Sequence, residues 1–200
     1  MTKHKIAIVV GSIRKDSLNR KVARAICVAS PEEFDCHIVE IDDLSLYDPD
    51  LDANPPAPWA RFRSEIADAD GVLFVTPEYN RSVPGVLKNA IDVGSRPYGK
   101  SVWAKKPAAI ITASPGAIGG FGANHHLRQS CVFLDMPVMQ QPEAYLGHVS
   151  DGQFGADGTV TDDGLAKLLD SICQAFIDWV ELIRAGRAAL APDSAGSHGA

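Results

Sequence analysis

The sequence predicts a doubly wound, three-layer α/β fold built on one parallel sheet, and three observations predict it. Five short apolar runs recur along the chain. Stretches with apolar residues at helical spacing lie between them, so strand and helix alternate, the pattern of a parallel sheet covered on both faces. The two least ordinary loops, 11–21 and 77–82, directly follow the first and third apolar runs.

Lys5–Val10 is apolar and β-branched and reads as the first strand. Asn19–Ala29 places Val22, Ala25, Ile26 and Ala29 at helical spacing. Cys36–Ile41 alternates inward and outward as a second strand, and Ser45–Pro58, rich in Asp and Pro, reads as a loop. Trp59–Ala69 is expected to be a helix with Phe62, Ile66 and Ala69 on one face, and Gly71–Thr76 the third strand. Pro84 and Gly85 are expected to open a helix through about Val93, because Pro is tolerated in a first helical turn. Pro107–Ala113 reads as the fourth strand, Gly119–Phe133 as a loop and helix, and Pro137–Gln141 as a short fifth strand. Asp162 or Asp163 is the expected cap of a long last helix through Arg187. Its apolar stripe is Leu165, Leu168, Leu169, Ile172, Phe176, Trp179, Val180 and Ile183. Residues 1–187 are expected to form one domain, and 188–200, small, polar and Gly-containing, a disordered tail.

With 200 residues, 46% hydrophobic and 22% charged, the chain suits a single full core. A net charge of −6 offers no basic face for nucleic acid and argues against anionic membranes. Cys27, Cys36, Cys131 and Cys173 form no C-x-x-C pair and have no His at metal-ligand spacing. They are expected as buried, reduced thiols rather than disulfides or zinc ligands. Met1–Lys5 runs straight into a strand, and the chain shows no signal-peptide core and no transmembrane-length apolar run. The expected address is the cytoplasm.

Five strands wound in both directions fit the flavodoxin-like order 2-1-3-4-5, whose switch point lies between strands one and three. The loop after strand one, Gly11-Ser12-Ile13-Arg14-Lys15-Asp16-Ser17-Leu18-Asn19, has the chemistry of an anion site. Ser12, Ser17 and Asn19 bring side-chain donors, and Arg14 a planar fork matched to phosphate oxygens. The helix behind it directs free N–H groups and its positive dipole end into the loop. The loop matches neither G-x-x-x-x-G-K-[ST] nor G-x-G-x-x-G, which disfavours a triphosphate or a tightly held dinucleotide and favours a monophosphate. The competing reading is a polar loop with a Ser or Asn helix cap. After strand three, Pro77-Glu78-Tyr79-Asn80-Arg81-Ser82 offers a Pro-stiffened backbone, a carboxylate, a ring and an amide. Those parts suit a flat, hydrogen-bonding ring better than a metal or a scissile bond.

Together these segments resemble the NADPH-dependent FMN reductase family, specifically its quinone and chromate reductase branch. The resemblance rests on Gly11-Ser12-x-Arg14-x-x-Ser17-x-Asn19, on the block from Pro77 to Asp92, and on Ser114-Pro115-Gly116-x-x-Gly119-Gly120. The stretch from His126 to Glu143 is also similar. The resemblance implies bound FMN and two-electron reduction by NADPH or NADH. It implies small-molecule electron acceptors: quinones, with chromate, azo dyes or ferric complexes as side substrates. By position, Ser12, Arg14, Ser17 and Asn19 hold the FMN phosphate, and Leu18 is counted among the cofactor-binding residues. Pro77, Glu78, Tyr79 and Asn80 border the isoalloxazine and ribityl, and Ser114 with its glycine neighbours closes the other side. Arg81 is counted with them and faces either the phosphates of the nicotinamide nucleotide or solvent. No residue is assigned to catalysis, because hydride transfer through flavin N5 needs no protein proton donor beyond solvent. The resemblance further implies a homo-oligomer, dimer or tetramer. The apolar segments around Arg128, Asp135, Glu143 and Tyr145 are the expected contact.

Two other functions stay in view. A flavodoxin-type electron carrier would have a Thr- and Gly-rich phosphate loop and a more acidic surface, so Arg14 and the modest charge speak against it. A non-catalytic flavin-binding module on the same fold is the other, since fold alone does not fix function.

Overall fold

A computed structural model describes residues 3–31 and 34–190. Five parallel strands form one sheet: β1 (His4–Val10), β2 (Phe34–Val39), β3 (Gly71–Thr76), β4 (Ala108–Ala113) and β5 (Ala144–Leu146). Their order is β2-β1-β3-β4-β5, the expected flavodoxin-like topology. The covering helices are α1 (Leu18–Ala29), α2 (Ala57–Asp68), α3 (Gly85–Gly94), α4 (Phe121–Phe133) and α5 (Asp163–Leu190).

Every residue of β3 and β4 is buried. Helices pack on both faces of these strands, so apolar residues run without alternation. Successive side chains still point to opposite layers. Ile6, Ile8, Leu73, Val75 and Ile111 join the core under α1 and α5. Ala7, Val9, Val72, Phe74 and Ile110 join the core under α2, α3 and α4. Trp103 anchors the second core, fully buried, with its ring centroid 5.8 Å from Phe62 and 5.7 Å from Phe74.

Pro137–Gln141, the expected fifth strand, is not one. Val138 makes a single parallel bridge to Ala108, and the paired strand is Ala144–Leu146 against Ile111–Ala113. From 138 to 144 the edge advances six residues while β4 advances three, from 108 to 111, so the chain loops out of the sheet between them. Pro137 has no N–H for a ladder, and Gln140 and Gln141 are exposed polar residues at an edge. The apolar signal came from Met139, which is 5% exposed and fills the core rather than extending a strand.

Smaller shifts occur elsewhere. β2 lies at Phe34–Val39 rather than Cys36–Ile41, and Pro84 is the N-cap of α3 rather than part of its first turn. Asp162 caps α5, its Oδ1 accepting from the Leu165 N–H at 2.7 Å. The helix continues past Arg187 to Leu190, so residues 188–190 of the expected tail are helical. Residues 191–200 lie outside the described residues. Leu168 is 41% exposed and leaves the expected stripe, because it neighbours the buried Leu169 and the two point to different helix sides.

All four cysteines are free thiols, with Cys131 and Cys173 buried and Cys27 and Cys36 half-buried. Burial pushes the Cys131 and Cys173 thiols up to about 12. The Cys36 thiol is instead lowered, first by the Cys27 thiol and then by the Ser30 hydroxyl 3.1 Å away. Only the thiolate alkylates, and a group with pKa about 12 is about one part in ten thousand thiolate at pH 8. Timed iodoacetamide labelling of the native protein at pH 8, read by mass spectrometry, is therefore expected to modify Cys36 well before Cys131 or Cys173. Equal rates at the three positions would contradict this packing.

Candidate functional site

β1 ends at Val10, and the Gly11 N–H donates to the Val75 carbonyl of β3 at 2.9 Å. This pairing holds the loop after β1 beside the loop after β3. Ser17 caps α1, its Oγ accepting from the Arg20 N–H, while its carbonyl accepts from Lys21 N–H. The first-turn N–H groups of Leu18 and Asn19 have no intrahelical acceptor. They sit at the positive end of the helix dipole, and the first turn carries no acidic residue to compete for them.

Ser12 and Ser17 are buried, and their oxygens accept from the Arg14 and Arg20 N–H groups at 3.4 and 3.3 Å. A hydroxyl that accepts still has its own proton to donate. Arg14 is exposed, and its guanidinium enters no ion pair or hydrogen bond among the described residues. Two hydroxyl donors, two backbone N–H groups and one uncommitted guanidinium thus converge at a helix N-terminus. That donor set fits a phosphate monoester. Asn19 has a structural task besides its place in the loop. Its Nδ2 donates to the Ala113 carbonyl at 3.1 Å, tying the start of α1 to the end of β4, and its buried Oδ1 has no partner among the described residues. One of its two amide protons thus braces the cradle.

The cradle opens into a cleft of about 210 Å³ lined by Ser12, Arg14, Ser17, Leu18, Asn19, Pro77, Glu78, Tyr79, Ala113, Ser114 and Pro115. Nine of the eleven expected residues therefore share one cleft. Ala113 and Pro115 are additions that no residue type announced: they contribute backbone and shape where β4 ends. Asn80 and Arg81 do not line it. They occupy a two-residue turn, with Asn80 at φ 51° and Arg81 at φ 64°, closed by paired Tyr79–Ser82 backbone hydrogen bonds of 3.0 Å. Two left-handed residues between paired partners make a type I′ hairpin turn, which points their side chains outward. Tyr79, just before the turn, is 53% exposed at the cleft mouth.

Glu78 lines the cleft, but its carboxylate turns toward α4. Oε2 accepts from the Ala123 N–H at 3.0 Å and Oε1 from Arg81 Nη1 at 2.8 Å. The glycines after Ser114 also differ from expectation. Gly119 and Gly120 are buried, at φ 63° and 82°, and press against Tyr145 and Thr112 rather than opening backbone toward the cleft. Their left-handed conformations favour glycine and turn the chain sharply into α4. His125 and His126 diverge as adjacent helical residues must. His125 Nε2 meets the Tyr145 hydroxyl at 2.9 Å, and His126 Nδ1 meets Ser82 Oγ at 2.7 Å. No cluster of His, Cys, Asp or Glu able to hold a metal occurs among the described residues.

Residues 4–151 match the family model described as NADPH-dependent FMN reductase. A quinone reductase of Pseudomonas putida is 57% identical over 91% of this chain and 97% of its own length. A 2-hydroxy-1,4-benzoquinone reductase of a Burkholderia species is 47% identical over 88% of this chain and 96% of its own. The solved structure of FerB, a flavoenzyme NAD(P)H:(acceptor) oxidoreductase from Paracoccus denitrificans, superposes with a TM-score of 0.85. It is 42% identical and covers 90% of this chain and 98% of its own.

Proposed function

The chain belongs to the NADPH-dependent FMN reductase family, and from that premise we propose that it is an FMN-bound NAD(P)H:quinone oxidoreductase. The observation that carries this reading is the pairing of an uncommitted anion cradle with a slot between two proline-bearing loops in one cleft. The cradle suits the FMN phosphate, and the slot between Pro77–Tyr79 and Ser114–Pro115 suits its flat ring. When bound, FMN supplies hydride acceptance from the nicotinamide and two-electron delivery to the acceptor.

The chain's own residues bind, orient and limit access. Ser12, Ser17, Arg14 and the N–H groups of Leu18 and Asn19 hold the phosphate. Pro77 and Pro115 stiffen the slot walls. Tyr79 stands at the mouth, where a nicotinamide and then a quinone take turns at an open face. Glu78 has both oxygens committed and moves no proton. Chromate and azo compounds are side substrates of this open face.

A homo-oligomer, dimer or tetramer, fits the exposed apolar residues on and beside α4, where Val132 is 78% and Phe133 84% exposed. Within that region Arg128 is anchored in its own chain, donating to Asn124 Oδ1 and the Met139 carbonyl at 2.9 Å each. No helix among the described residues is long and apolar enough to cross a membrane. Four free thiols fit a reducing compartment such as the cytoplasm.

Anaerobic stopped-flow of the FMN-loaded protein with NADPH, and separately NADH, tests the function. Fast bleaching of the flavin band, then reoxidation by a benzoquinone, is the expected result and names the preferred donor. No bleaching with either nucleotide would move the reading to an electron carrier.

A further inference from the structure

We propose that Glu78 is a positioning residue that sets the width of the cleft by capping α4 from another loop. The functional consequence rests on the FMN reading; the structural device does not. α4 cannot cap itself. Its N-cap is Gly120, which has no side chain and makes no capping hydrogen bond. One of the orphan N–H groups of its first turn, that of Ala123, is taken by Glu78 Oε2 at 3.0 Å. A carboxylate at a helix N-terminus also meets the positive end of the dipole. The approach is close: a Cβ on Gly122 would lie 2.9 Å from the same oxygen and 3.1 Å from the Arg81 carbonyl, so a side chain there would push against the docked carboxylate. Glu78 is held at only 12% side-chain exposure by these contacts, and its other oxygen receives Arg81 from within the hairpin turn.

A second tie runs in parallel. Ser82 Oγ meets His126 Nδ1 at 2.7 Å, one helical turn beyond Ala123. The Pro77–Ser82 loop is therefore docked on α4 at both ends of its turn. The loop that feeds α4 carries Ser114 and Pro115, the opposite wall of the cleft. One helix thus holds both walls, and the Glu78 and Ser82 ties fix the gap between them. Acid–base chemistry needs a carboxyl free to face the reacting groups, and both Glu78 oxygens are engaged away from them.

Amide hydrogen exchange on the FMN-free protein separates this device from the flavin reading. Glu78→Ala is expected to speed exchange at the Ala123 amide about tenfold, the loss typical of a missing helix cap. FMN affinity is expected to fall by a similar factor. Glu78→Gln retains an acceptor oxygen and is expected to recover most of both losses. Ser82→Ala, a small change at a half-buried position, is expected to speed exchange at the Tyr79 and Ser82 amides and leave Ala123 protected. Unchanged Ala123 exchange in Glu78→Ala, or a glutamine variant as impaired as the alanine one, would overturn the proposal. A parent protein that fails to bind FMN, with the exchange pattern as expected, would sink the flavin reading and leave the cap standing.

Discussion

Replacing Arg14 with alanine is expected to weaken FMN binding by about 2 kcal/mol, the typical worth of hydrogen bonds to a charged group, or roughly thirtyfold. Arg14 is exposed and enters no ion pair among the described residues, so its loss leaves no buried partner there stranded and the fold should tolerate it. The effect is expected to depend on the phosphate. Riboflavin lacks that group, so the same substitution should leave riboflavin affinity nearly unchanged. Fluorescence titration of the FMN-free parent and variant with FMN and riboflavin forms a closed cycle that isolates the guanidinium–phosphate coupling. An equal loss for both ligands would mean that Arg14 shapes the loop rather than meeting the phosphate. Raising the salt concentration should shrink the FMN difference, since an exposed charge pair is screened.

The largest expected loss of stability is at Trp103. Removing a fully buried tryptophan costs about 3–5 kcal/mol, against a total of about 5–15 kcal/mol for a domain. Two further features place Trp103→Ala toward the upper end. The indole N–H donates to the Ile91 carbonyl at 3.0 Å, a hydrogen bond lost with the ring even though that carbonyl keeps the Ser95 N–H. The ring also fills the space beside Gly94, where a Cβ would lie 2.6 Å from Nε1. The neighbours Phe62 and Phe74 belong to a helix and a central strand and cannot collapse freely into the void. Urea unfolding of the FMN-free protein is the measurement, because bound cofactor would add its own stabilisation. A lowered midpoint with an unchanged slope is expected. Trp103→Phe should recover the packing share and leave the hydrogen-bond share lost. A shift below about 1 kcal/mol for the alanine variant would mean that the site repacks.

Much of the architecture was legible because its signals are local. The unbroken apolar run Gly71–Thr76 matches β3 at both ends, and helical spacing placed α1 and α2 within a residue or two. The donor-rich cradle at the start of α1 was legible for the same reason: hydroxyl, guanidinium and helix start follow one another within nine residues. Val138 and Met139 carry the right residue types for a strand and do reach β4 at Ala108, but the chain then loops out and pairing resumes only at Ala144. The Asn19 amide suits an anion by its chemistry, and only the fold reveals that one of its protons goes to a carbonyl ninety-four residues away. Trp103 gave no local sign at all, since it lies outside every periodic segment and gains its weight from three elements that meet around it.

Short segments of sequence carry the alternation of strand and helix, the two loops that meet at the switch point, and the donor chemistry of the first of them. These follow from backbone periodicity and from side-chain chemistry, which are properties of short segments. Tertiary structure decided where each polar group is directed. Glu78 and Ala123 are forty-five residues apart, and only the folded sheet brings the carboxylate to the uncapped end of α4. An unpartnered helix N–H and a carboxylate each have many possible partners in an unfolded chain. Packing selects one pairing, and that choice commits the Glu78 carboxylate to α4 and to Arg81 rather than to the cleft.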